Sequence, residues 1–165
     1  MPHMLSMKTT QKEKVIEQTL LRNYDKYYRL AKSYTHSNDD ALDIVQTGAY
    51  RAILAGKKLK NEAFVETWIY RIMLNEIFRF CKSNKNIIFV PQDMTPEQGH
   101  EDTYENFDLQ VALDRLAPKD KSVVILKYFE DMKISEIAQV LNEKESTIKS
   151  RLYRSLEKLR LQLEA

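Results

Sequence analysis

Residues 134–160 read ISEIAQVLNEKESTIKSRLYRSLEKLR, two short helical periods with a tight turn between them. Ile137, Ala138 and Leu141 share one face of the first, and the small Ala138 lets a second helix cross closely. Asn142 stands where the chain must turn, and asparagine tolerates the left-handed backbone that otherwise calls for glycine. Ser146 is placed to cap the second helix by accepting its free amide hydrogens. On that helix Ile148, Leu152, Leu156 and Leu159 form an apolar stripe, while Lys149, Ser150, Tyr153 and Arg154 lie off it with Arg151, Lys158 and Arg160 nearby. Five Lys/Arg against one Glu between Ser146 and Arg160 make the local charge +4. A basic helix face by itself is ordinary solvated surface. Joined to the turn, the alanine and the cap, it reads as a helix-turn-helix whose donors face outward, a shape that fits the DNA major groove.

Outward from this motif, composition narrows the class. With 165 residues and 43% hydrophobic residues the chain can pack one ordinary domain or two small ones. Three glycines and four prolines are few, and Leu, Lys, Glu and Ala are abundant, so an all-helical protein is expected. No apolar run spans a bilayer and no signal peptide is evident, which points to a cytoplasmic protein without membrane insertion. Cys81 stands alone, excluding an internal disulfide framework and a multi-cysteine zinc site, and reads as a packed small hydrophobe. Residues 1–85 carry a net charge of +6, residues 86–107 carry five acids and no Lys/Arg, and residues 108–165 carry +1.

Taken in order, Leu20, Tyr24, Tyr27, Ala31 and Tyr34 mark one face of a long helix from Lys12 to Tyr34. Asn38, followed by Asp39 and Asp40, reads as the cap of a second helix that buries Ala41, Ile44, Val45, Gly48 and Ala52 and closes at Gly56. A basic connection, Lys57 to Lys60, leads into a third helix, Ala63 to about Lys82, with Val65, Trp68, Ile69, Ile72 and Glu76 along one side. The expected organisation is an N-terminal helical domain over 11–85, an acidic linker over 86–107 and a four-helix C-terminal domain over 108–165. In the last, Asp108 is expected to cap a short helix ending at Pro118, and a helix from Lys119 to Glu130 to carry Val123 to Leu126 and Tyr128.

The string LDRLAPKDKSVVILKYFEDMKISEIAQVLNEKESTIKSRLYRSLEKLR at 113–160 resembles the minus-35-reading domain of bacterial RNA polymerase sigma factors of the extracytoplasmic-function group. DDALDIVQTGAYRAI at 39–53 and FVETWIYRIMLNEIFRF at 64–80 resemble the helices with which that group holds the polymerase clamp and opens the minus-10 element. The resemblance implies that Ser146, Thr147, Lys149, Ser150, Arg151, Tyr153, Arg154 and Lys158 contact minus-35 DNA. It implies that Asn61, Phe64, Trp68, Arg71, Asn75 and Arg79 serve the minus-10 element, and that Asp39, Asp40, Asp43, Ile44 and Gln46 meet core polymerase. The implied partners are the clamp and flap of core polymerase, promoter DNA and an anti-sigma factor.

The residues also carry plainer readings. Asp39 can simply favour its helix start; Trp68 can be core beside Ile72, and Phe64 a staple at the head of the third helix. A non-sigma helix-turn-helix regulator would need an effector or phosphorylation domain in residues 1–85, where no α/β pattern is found. His3, His36 and His100 lack ligand spacing, so neither an enzyme nor a metal or other cofactor is expected.

Overall fold

The computed structural model describes residues 10–84 and 103–164. The chain divides into two compact units, Met1–Phe80 and Cys81–Ala165, and among the described residues the regular structure is helical throughout. The acidic stretch expected as a linker lies outside the described residues except for 103–107.

In the first unit, α1 (Gln11–Arg22) starts at Thr10, whose hydroxyl accepts the Glu13 N–H at 3.2 Å. The single helix expected from Lys12 to Tyr34 is instead two, because the chain breaks at Asn23 before α2 (Tyr24–Thr35). The Thr19 hydroxyl donates to the Val15 carbonyl at 2.7 Å, a back-bond that bends helices. Buried Asn23 leaves helical geometry at φ −107° and donates to the Tyr27 hydroxyl. Tyr27, Leu30 and Ala31 are thereby buried, whereas Tyr24 turns outward.

The cap of α3 (Asn38–Leu54) is Ser37 rather than Asn38: its hydroxyl accepts the Asp40 N–H at 3.2 Å. Asn38 instead accepts the Tyr28 hydroxyl at 2.8 Å. Ala41, Ile44, Val45, Gly48 and Ala52 face inward as expected. Gly48 lets the Met73 thioether lie against the α3 backbone, for a Cβ at 48 would stand 3.1 Å from Met73 Cε and closer still to the sulfur. The helix ends at Leu54 with Ala55 as its C-cap, and Gly56, expected to close it, opens a 3₁₀ turn over Gly56–Lys58.

A second 3₁₀ turn, Glu62–Phe64, precedes α4 (Val65–Ser83). Its buried face is Val65, Ile69, Tyr70, Met73, Leu74 and Ile77, with Trp68 and Ile72 only half-buried at the edge. Tyr70 meets Tyr27 edge-on, ring centres 5.2 Å apart and planes at 82°, an arrangement aromatic quadrupoles favour.

In the second unit, α5 (Thr103–Asp114) begins inside the stretch expected as linker, so Asp108 is a helix-interior residue and not a cap. α6 (Pro118–Tyr128) has Pro118 in its first turn, where a missing N–H costs nothing. Val123 to Leu126 are buried, but Tyr128 is exposed, contrary to its expected core place. α7 (Ile134–Leu141) and α8 (Glu145–Glu164) follow. Ala112, Leu113, Leu116, Val124 and Leu159 form a core against which Leu109 and Leu152 pack. Beside it the Lys121 ammonium is buried on Asp114 at 2.6 Å; burial pushes its pKa below the ordinary lysine value while the carboxylate pulls it back up.

Candidate nucleic-acid interface

The helix-turn-helix is α7, Asn142 to Lys144, and α8. Its first helix starts with the Lys133 N–H donating to Glu136 Oε1 at 3.0 Å and buries Ile137, Ala138, Val140 and Leu141. Asn142 adopts φ 55° and ψ 47°, the left-handed conformation its residue type admits. Helix α8 starts at Glu145, so Ser146 sits exposed in the first turn and is not the cap expected of it. The inward face of α8 is Ile148, Leu152, Ser155 and Leu159; Leu156, expected on that stripe, is exposed.

Opposite that face the helix presents Ser146, Lys149, Ser150, Tyr153, Arg154 and Lys158, all exposed, with Tyr153 76% exposed and Thr147 half-buried beside them. Arg154 Nε donates back to the Ser150 carbonyl at 3.3 Å, laying its stem along the helix. The surface therefore offers two serine hydroxyls, an aromatic ring and three cations on neighbouring turns of one helix.

Arg151 is not part of that outward surface. Its Nε and Nη2 donate to the two carboxylate oxygens of Glu143 at 2.9 Å each, and Nη1 donates to Asp120 Oδ1 at 3.0 Å. The fork-on-fork geometry fastens the turn and α6 to α8. This pairing holds the Glu143 carboxyl below its ordinary pKa and raises that of the guanidinium. The negative charge of Glu143 in the turn is thereby turned onto an arginine. Sequence spacing gives no sign of this clip, whose partners lie 8 and 31 positions away.

In the first unit, Trp68, Arg71, Asn75 and Arg79 recur at the period of one helix face and share an edge of α4, with Phe64 in the 3₁₀ turn just before it. Phe64 is 50% exposed, Asn75 and Arg79 are exposed, and Trp68 and Arg71 are half-buried. The staple reading of Phe64 does not fit that exposure, and Trp68 is at most a margin of the core. Asn61 Oδ1 accepts the Ala63 N–H at 3.0 Å, holding the turn that carries Phe64. Arg79 is tied to buried Glu76 at 2.7 Å, and the same carboxylate oxygen meets Arg51 of α3 at 2.5 Å. Arg51 was not among the expected site residues.

On α3, Asp39, Asp40, Asp43 and Gln46 are exposed, but Ile44 is buried at 7% exposure and is withdrawn from any partner-facing surface. The apolar residues that do face outward there are Leu42, Tyr50, Ile53 and Leu54. Beside them Leu21, Tyr24, Ala49 and Ile53 line an apolar groove of about 380 Å³ running between α1, α2 and α3.

Comparison with known proteins follows the same division. The family model described as "Sigma-70 region 2" matches residues 20–87, and that described as "Sigma-70, region 4" matches residues 106–159. The chain is 38% identical to RNA polymerase sigma factor SigV of Bacillus subtilis over 95% of its own length and 96% of the relative's. It is 29% identical to the RNA polymerase sigma-E factor of Streptomyces coelicolor over 90% of this chain and 86% of that one. Among solved structures, RpoE of Bartonella quintana, crystallised with the anti-sigma factor NepR, is similar at a TM-score of 0.69 and 21% identity, covering 90% of this chain and 96% of that chain. CnrH in complex with the cytosolic domain of CnrY is similar at 0.67 and 21%, covering 90% of this chain and 87% of that one, and both likenesses speak to the fold. With two sigma-70 regions matched in order and a full-length relative at this identity, the chain belongs to the extracytoplasmic-function group of RNA polymerase sigma factors and acts in promoter recognition.

Proposed function

We propose that α8 reads the minus-35 element through Lys149, Ser150 and Tyr153, with Arg154 and Lys158 on phosphates and Ser146 and Thr147 at the groove entry. The observation that carries this reading is the outward row of exposed donors on α8, from which Arg151 is removed by its two carboxylates. Major-groove edges need side-chain donors near the front of a recognition helix, and phosphates are met by cations further along.

The edge of α4 serves the minus-10 element. An extruded base needs an aromatic wall and polar groups for its edge, and Phe64 with Asn61 and Asn75 supply them. Half-buried Trp68 and Arg71 and exposed Arg79 continue that edge. Core polymerase meets the exposed face of α3, which carries Asp39, Asp40, Asp43 and Gln46 together with exposed Leu42 and Tyr50. Carboxylates together with apolar side chains suit a protein partner better than DNA. An anti-sigma factor is the further partner, by analogy with the complexes of RpoE and CnrH. The chain supplies specificity to the polymerase's own catalysis and works in the cytoplasm; among the described residues no helix is long and apolar enough to cross a membrane.

Phe64→Ala in reconstituted holoenzyme tests the base-pocket role. The expected result is an unchanged melting midpoint with loss of permanganate reactivity at the promoter. Normal footprints with this variant would remove Phe64 from the pocket.

A further inference from the structure

The pairing of Arg51, Glu76 and Arg79 is an unusual balance of charge. One carboxylate oxygen meets two guanidinium groups, at 2.5 Å from Arg51 Nε and 2.7 Å from Arg79 Nη1. The two arginine nitrogens therefore lie within about 5 Å of each other, a distance at which like charges repel appreciably unless an anion lies between them. Glu76 is that anion and is almost wholly buried, whereas the arginine side chains are 52% and 59% exposed. The triad keeps a net charge of +1 on its solvent side. No other acid lies close to it along the chain: from Ile44 to Asn61 there is none, against Arg51, Lys57, Lys58 and Lys60. From Thr67 to Ser83 the only acid is Glu76 itself, against Arg71, Arg79 and Lys82.

Arg79 shares its helix edge with Asn75 and Arg71, so the triad extends that edge across to α3. We propose that Arg51 and Arg79 form a clamp for one phosphodiester of the promoter strand, and that Glu76 is the positioning residue that holds the clamp together. Each guanidinium keeps donors pointing away from Glu76 in a planar fork that suits phosphate oxygens. A phosphate between them completes an alternation of two cations and two anions. This inference rests on the proposed minus-10 role of α4.

The test uses full-length chain in holoenzyme and a duplex promoter fragment recovered by run-off selection, with affinity measured across a potassium chloride series. Glu76→Gln separates the possibilities because it adds one positive charge while removing the anion that gathers the arginines. The clamp predicts a several-fold loss of affinity and a salt slope smaller by roughly 0.7–0.9, the value for one phosphate contact. A carboxylate that merely offsets charge predicts the reverse, tighter binding and a steeper slope, and that result would overturn the proposal.

Arg51→Ala should lower the slope by the same amount, Arg51→Ala with Arg79→Ala by no more than that single step, and Arg51→Lys should restore part of it. A purely structural Arg51 would move the melting midpoint and leave the slope alone, which would equally overturn the clamp. If Glu76→Gln fails to fold, the exposed Arg51 variants decide alone. Arg71→Ala and Asn75→Ala serve as the control on the parent reading. Losses there with an unchanged Arg51→Ala would end only the clamp, whereas no loss in any of them would end the minus-10 role of α4.

Discussion

At the scale of single residues, cations only five positions apart on α8 are expected to do different work. Lys149 projects from the front half of the helix, so Lys149→Ala should cost about 1–3 kcal/mol on the cognate minus-35 sequence and relax preference at one position. Arg154→Ala should weaken all sequences alike and lower the salt slope by about one. Binding isotherms on cognate and scrambled duplexes over a salt series check both, and equal sequence dependence would contradict the division. Arg151 differs again. Its removal strands two carboxylates that are each only 18% exposed, so Arg151→Ala should cost stability, about 1–3 kcal/mol, rather than one specific base contact. The Glu143 half of the clip also carries a pH signature. Arg151 holds its carboxyl below the ordinary 4.5, so the clip stabilises the fold fully above that value and is lost as pH falls through the depressed one. Glu143→Gln should therefore melt earlier than the parent near neutral pH, and the gap should close under acid. A gap independent of pH would mean that the ionisation of Glu143 contributes nothing. The resemblance placed Arg151 with the DNA contacts because a sequence records charge and period, not the carboxylate that folding brings alongside.

At the scale of elements, helix existence was legible and helix ends were less so. The turn between α7 and α8 was readable because Asn142 is one of few residue types that accept φ 55°. Asn142→Gly should be nearly neutral, whereas Asn142→Val should cost about 1–2 kcal/mol, because a β-branched apolar side chain lacks the local hydrogen bonding with which asparagine tolerates that conformation. Urea melts of the two variants check this, and equal midpoints would mean that the turn relaxes. The cap at Ser37 fell one residue from expectation, since neighbouring polar residues compete for the same amide hydrogens, and α8 starts one residue before Ser146. The break at Asn23 was hidden because the apolar period continues across it; a threonine back-bond and a buried asparagine end the helix, and neither alters hydrophobicity. Ile44 was misassigned for a related reason. It lies within a run of residues expected to face a partner, yet only the packing of α3 distinguishes the buried isoleucine from Leu42 two positions away.

At the scale of the whole molecule, the charge sequence of +6, then five unrelieved acids, then +1 is the plan most plainly written in the chain. The two basic or mixed segments coincide with the two matched sigma-70 regions. The acids between them should avoid duplex DNA and suit a basic channel of the polymerase. Replacing 93–105 with a neutral Gly/Ser segment should leave DNA and polymerase binding intact and reduce initiation; unchanged abortive and full-length transcript yields would refute this. Run-off transcription of genomic fragments by core polymerase, with and without the chain, tests promoter recognition most directly. The expected result is a small set of discrete transcripts that appear only when the chain is added, whose start sites share two upstream elements at fixed spacing. Transcripts unchanged by the chain, or chain-dependent transcripts with no shared upstream element, would contradict it.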